Sequence, residues 1–192
     1  MSFFAFAKGP VLPASRRGFL QTSGLVLSAG AVALMAGRDA LAKAVPANAE
    51  NDARILNSAL AAELEAIAAY QVGAESGLLL KPTLDLALTF QGHHREHADV
   101  LAKTIARLGG KPVVAREHYT FPTDKLKSQA DVLRFAATLE KGAVSAYLGA
   151  VPAFAERELA KAAASILGDE AMHWAVLRQA LGEVPVPAAF VA

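Results

Sequence analysis

The sequence predicts an all-α chain: an antiparallel four-helix bundle with one long crossover between its second and third helices. Three observations carry that prediction. No stretch beyond the first forty residues alternates apolar and polar side chains as a half-buried strand would. Four Ala- and Leu-rich blocks instead repeat apolar residues at three- and four-residue spacing, the period of a helix with one buried stripe. Between the second and third blocks the link from Lys111 to Lys127 carries Pro112 and Pro122. Such a link is long for a connection inside a compact domain, unless the chain must run the length of a bundle before restarting.

In chain order, Ser15-Arg16-Arg17-Gly18-Phe19-Leu20 precedes an apolar run from Gly24 to Gly37, with small-residue cleavage patterns at Ala40-Leu41-Ala42 and Ala42-Lys43-Ala44. This is the layout of a secretory signal, and its paired arginines resemble the twin-arginine signal of bacterial export. The run of 14 residues is too short to span a membrane. Residues 1–42 are therefore expected to be removed on export to the periplasm or beyond, with no stable membrane insertion afterwards. A linker over 43–51, a bundle over 52–182 and a tail over 183–192 follow. The first helix is expected from about Asp52 to Glu75, with Gly77 as its stop. The second opens at Lys81-Pro82, proline being welcome in a first turn, and closes at Gly109-Gly110. The third starts near Ser128 or Asp131 and reaches Val151, just before Pro152; the fourth runs from about Ala155 to Leu181 and closes at Gly182. Pro185 and Pro187 forbid a further helix in the tail.

Composition narrows the function classes. The 192 residues suit one domain with a short appendage. Lys plus Arg number 19 against 18 Asp plus Glu, which leaves no basic footprint for nucleic acid. The leader holds Lys8, Arg16, Arg17 and Arg38 against Asp39 alone, so the remainder is slightly acidic, at −2. A hydrophobic share of 54% excludes disorder as the main state. Cysteine is absent, which removes disulfides, thiolate nucleophiles, iron–sulfur clusters and Cys-type zinc sites together.

The two hairpins repeat each other. Glu63 and Tyr70 in the first helix stand seven residues apart, as do Glu140 and Tyr147 in the third, at an offset of 77. The second helix reads Gly92-His93-His94-Arg95-Glu96-His97 and the fourth Gly168-Asp169-Glu170-Ala171-Met172-His173, with Gly, His and the following Val and Leu coinciding at an offset of 76. Glu63 sits among Leu60, Ile67 and Tyr70, and Glu140 among Ala136, Ala137, Val144 and Tyr147, so both acids fall on buried stripes. A carboxylate there is costly unless it is paired or bound to a cation. Glu170 and His173, three residues apart, share one face of their helix.

One inward acid from each of two helices, with Glu-x-x-His from another, resembles the ferritin-like superfamily over about residues 50–182. The resemblance implies iron or manganese, as one or two ions, and a chemistry in which dioxygen or peroxide meets a reduced metal pair. It places Glu63, Glu140, Glu170, His173 and His97 on ligand positions. Glu63 and Glu140 would be terminal, Glu170 bridging, and the histidines nitrogen donors. The family's bridging acid three residues before the helix-two histidine is replaced here by His94, which would cap the site or stand in for the bridge. Three carboxylates leave two divalent ions one charge short, and imidazole bridges metals poorly. Two weakly held ions, one ion with several histidines, and a metal-free hydrogen-bonded envelope module all remain open on that ground.

Other polar residues are expected to be ordinary. Glu65, Glu75 and Glu158 should be solvated, His118 a loop residue, and His93 and Glu96 a surface pair, unless a rotated second helix brings those two inward. Tyr70 and Tyr147 should give their hydroxyls to buried acids, and Trp174 should serve in the core or an interface. The lack of cysteine removes rubrerythrin-type relatives, and the proline-bearing tail removes cage-forming ferritins. A homodimer is the expected assembly.

Overall fold

The computed structural model of the protein describes residues 47–191. The export-signal reading, the start of the expected linker and Ala192 lie outside the described residues. Four helices make up the described part: α1 Ala47–Glu75, α2 Lys81–Arg107, α3 Gln129–Ala150 and α4 Arg157–Ala180. There is no strand among the described residues. The pairs α1–α2 and α3–α4 form tight antiparallel hairpins, while α1 lies more loosely against α3. This is the predicted bundle. Among these residues, no helix is long and apolar enough to cross a membrane.

The helix ends follow local chemistry. Pro82 occupies the first turn of α2. Ser128 caps α3, its hydroxyl accepting from the Asp131 amide. Both α2 and α4 close on a glycine in the left-handed region, Gly109 at φ 80° and Gly182 at φ 74°. The next amides then reach back to Ile105 and Arg178 at 2.9 Å, satisfying carbonyls a helix end would strand. Two boundaries differ from expectation. Helix α1 begins at Ala47, five residues ahead of Asp52, and takes up part of the expected linker. Helix α4 begins at Arg157 because a 3-10 turn at Val151–Ala153, built around Pro152, ends α3 first.

The crossover stays irregular apart from a 3-10 turn at Thr123–Lys125. Its start is pinned to α1 by Asn57, whose side chain donates to the Lys111 carbonyl at 3.1 Å and accepts from the Val113 amide at 2.8 Å. His118 is exposed there, as expected of a loop residue.

Asp52 does a related job at longer range. It is buried on α1, and its two carboxylate oxygens accept from the Ala155 and Glu156 amides at 2.9 and 3.0 Å, just ahead of α4. It therefore supplies the cap that α4 lacks locally. Replacing Asp52 with alanine is expected to cost about 2 kcal/mol, lowering the melting temperature by about 5 °C. Thermal unfolding followed by circular dichroism checks this.

Two apolar clusters fill the bundle. One gathers Leu56, Leu60, Leu101, Ile105, Leu159 and Ile166; the other gathers Phe90, Leu133, Ala136, Ala137 and Leu177. Tyr147 belongs to the first and Tyr70 to the second. Along each helix the polar residues fall between these two plugs, which keeps bulk water from them at both ends.

Candidate metal centre

Each helix brings an acid or an imidazole to the middle of the bundle. Glu63, His94, Glu140, Glu170 and His173 are all at most 3% exposed. His94 stands between the two single acids. Its Nδ1 lies 2.8 Å from Glu63 Oε2 and its Nε2 3.3 Å from Glu140 Oε1. Glu170 divides its oxygens between the two outer rings. Oε1 is 3.1 Å from His97 Nδ1, and Oε2 is 3.4 Å from His173 Nδ1. The result is two overlapping quartets, Glu63–His94–His97–Glu170 and His94–Glu140–Glu170–His173, each with ligand atoms within 4.8 Å of one another. His94 and Glu170 belong to both. All six residues singled out from the sequence come together here.

The tyrosines cross over. Tyr147 on α3 donates to Glu63 on α1 at 2.6 Å, and Tyr70 on α1 donates to Glu140 on α3. Burial and the neighbouring acid push both phenols well above the ordinary tyrosine range, so they remain donors. Tyr147→Phe is expected to cost the metal-free protein about 1–2 kcal/mol by leaving Glu63 Oε1 short of a donor. Any cation on Glu63 would reduce that loss. Comparing melting temperatures with and without added manganese checks both statements.

Electrostatics explain how such a cluster survives burial. Burial alone would drive the imidazoles neutral, but the surrounding carboxylates outweigh it. Glu140 and Glu63 hold His94 protonated to about 10. Glu170 and Glu63 hold His97 to about 9, and Asp169, Glu140 and Glu170 hold His173 to about 11. Burial also opposes ionisation of the acids, yet His94 and His97 lower Glu63, and His173 and His94 lower Glu140, below the usual carboxylate range. Imidazolium and carboxylate thus compensate each other. Hydrogen bonding is nevertheless incomplete. His97 Nδ1, His173 Nδ1, Glu140 Oε2 and both oxygens of Glu170 are buried without a hydrogen bond. All five are carried by residues of the two quartets, and imidazole nitrogens, once they release their protons, form with carboxylate oxygens a donor set that can hold a metal ion.

Asp169 was not among the residues singled out from the sequence. Its Oδ2 lies 3.2 Å from His173 Nε2 and 3.5 Å from His97 Nε2, on the outer nitrogens of both rings. Burial opposes its ionisation, but His173 first, with His93 and His97 adding, holds its carboxyl below the usual range. An acid in this place steers Nδ1 of each ring inward. It also brings a fourth negative charge beside the cluster, making up the deficit left by His94. The expected surface pair of His93 and Glu96 does not form as such. His93 turns toward α4, 3.2 Å from Asp169 Oδ2 and 2.8 Å from His173 Nε2, while Glu96 stays exposed. The signal was present in the repeat, since His93 is the counterpart of Asp169. Trp174 packs partly buried against the Leu177 cluster, with Arg178 and Lys141 over its ring at 5.4 and 5.9 Å.

A groove of about 450 Å³ runs between α1 and α3. Its walls are mostly small residues such as Ala59, Ala62, Ala143 and Ala146, and Glu63, His94 and Glu140 also line it. It offers small molecules an approach to the cluster.

Comparisons with known proteins agree with this architecture. The model of a family described as a ferritin-like domain matches residues 51–183. The crystal structure of a conserved hypothetical protein from Mycobacterium tuberculosis is similar, with a TM-score of 0.65 and 24% identity, over 75% of this chain and 99% of that one. No curated protein matches the sequence.

Proposed function

The chain belongs to the ferritin-like domain family, and from that premise we propose that it is an exported protein binding iron or manganese, as one or two ions, for oxidative chemistry. The observation carrying this reading is the set of five buried donor atoms without hydrogen bonds, all belonging to the two quartets. Glu170 bridges the two lobes, Glu63 and Glu140 close their ends, and His97 and His173 supply nitrogen through Nδ1. His94 occupies the place of a second bridging acid. Tyr70, Tyr147 and Asp169 fix these ligands from behind. Reduced iron or manganese, when bound, would supply the electrons that dioxygen or peroxide accepts. The groove between α1 and α3 would admit such small oxidants, while the apolar plugs close the cluster off toward the two ends of the bundle. Export rests on the leader's resemblance to twin-arginine signals. A homodimer is proposed with it, because two like hairpins offer self-complementary surfaces; sedimentation at equilibrium tests that.

A second reading has its own support. The pairing of imidazolium with carboxylate balances the cluster without a cation, as a metal-free envelope module would require. Elemental analysis after aerobic reconstitution separates the two. The proposal expects one to two ions per chain and consumption of oxygen or peroxide. Retention below about 0.2 ions per chain would leave the metal-free module.

A further inference from the structure

Three polar atoms on the α2–α4 face meet outside the core: His93 Nδ1, Asp169 Oδ2 and His173 Nε2. They are separated by 2.8, 3.2 and 3.2 Å. The side chains of His93 and Asp169 are 40% and 24% exposed, so solvent reaches the group, whereas His173 is 2% exposed. Phe90 stacks on the His173 ring at 4.0 Å between centroids, and His93 lies near-parallel to it at 5.1 Å. The ring is therefore fixed with one nitrogen facing each site.

Ligand atoms around a tetrahedral ion with bonds near 2.0–2.1 Å are about 3.3 Å apart. Two of the three separations already match, and the two histidines need part by only about half an ångström. Two imidazoles and one carboxylate, with a fourth position open to water, suit a borderline divalent ion such as Zn²⁺. The buried quartets are richer in oxygen by comparison.

We propose that His93, Asp169 and the outer nitrogen of His173 form a separate Zn²⁺-type site, and that filling it antagonises the second lobe of the core. A neutral imidazole offers a single lone pair. With His173 Nε2 bound to the outer ion, that nitrogen's proton leaves to solvent and the remaining ring proton sits on Nδ1. There it faces Glu140 Oε1 at 3.5 Å and Glu170 Oε2 at 3.4 Å, both able to accept it. With Nδ1 turned to the core, the proton sits on Nε2 and Asp169 accepts it. Either tautomer has a place, but a ring that keeps one proton cannot serve both sites at once. The outer site stands on its own geometry; the antagonism rests on the proposed core.

The test titrates Zn²⁺ into the metal-stripped protein and then into protein preloaded with Mn²⁺, using wild type, H93A and H93Q. Anomalous diffraction at the zinc edge should place an ion between His93, Asp169 and His173 in wild type and none there in either variant. Wild type should release Mn²⁺ at roughly tenfold lower free Zn²⁺ than the variants. H93Q keeps side-chain bulk beside the His173 ring and so separates lost packing from a lost ligand. No zinc between His93, Asp169 and His173 in wild type, or zinc there in the variants as well, would overturn the outer site. A His93-dependent zinc site with identical Mn²⁺ release in wild type and variants would overturn the antagonism. His93-dependent zinc binding by a protein that takes up no Mn²⁺ or Fe²⁺ would support the outer site and overturn the core reading.

Discussion

Glu170→Ala is expected to empty both lobes of the core, lowering affinity for iron or manganese by at least about a hundredfold. The reason is topological. Glu170 is fully buried, belongs to both quartets, and directs one oxygen to His97 and the other to His173. His97 and His173 each belong to one quartet only. H97A and H173A should therefore each remove one ion's worth of binding, while E170A removes both. Stability should fall as well. Glu170 is a countercharge to the protonated His97 and His173 in the metal-free fold, so its loss should cost about 3–5 kcal/mol by leaving buried imidazolium unpaired. Metal stoichiometry and thermal unfolding on the same four proteins check the pattern. Equal metal content in wild type and E170A would contradict it.

The second large effect is with pH. His94, His97 and His173 stay protonated to about 10, 9 and 11 in the metal-free fold, and each must release a proton to act as a neutral ligand. Apparent metal affinity should thus rise with pH, by about tenfold per unit for each proton displaced, across the range between pH 7 and 9. Metal-free stability should run the other way. These histidines bind protons more tightly folded than unfolded, so their stabilisation is complete below the unfolded value of 6.5 and is lost as pH climbs through about 9 to 11. Glu63 and Glu140 are shifted down, so their contribution is present above the ordinary value of 4.5 and is lost as pH falls through their lowered folded values. Metal-free stability should accordingly peak between about pH 4.5 and 6.5. The gain in melting temperature on adding metal should widen as pH rises above that. Scanning calorimetry at several pH values, with and without manganese, measures both trends.

The cluster was legible because a helix repeats every 3.6 residues. That spacing puts Glu63 with Tyr70, and Glu170 with His173, on single faces, and the repeat at 76–77 residues states the pattern twice. Buried acids on apolar stripes then required partners, and the partners were the histidines and tyrosines at matching positions. What escaped depends on how one helix is turned against another. Whether residue 93 faces solvent or α4 depends on how α2 is rotated against α4; the repeat matches His93 to Asp169, but α2 alone does not state that rotation. Asp169 is likewise adjacent to a ligand in sequence, yet its role appears only where the rings of His97 and His173 present their outer nitrogens to it. Asp52 caps a helix start 103 residues away, and only the folded bundle brings them together.

The central claim is that ions reside between the two quartets. Anomalous X-ray diffraction at the iron and manganese edges, on crystals of protein purified from its own compartment, tests it most directly. The account predicts one or two peaks within bonding distance of Glu170, flanked by Glu63 and His97 on one side and Glu140 and His173 on the other. A well-ordered core with no peak there, its imidazoles and carboxylates bonded only to each other, would contradict it.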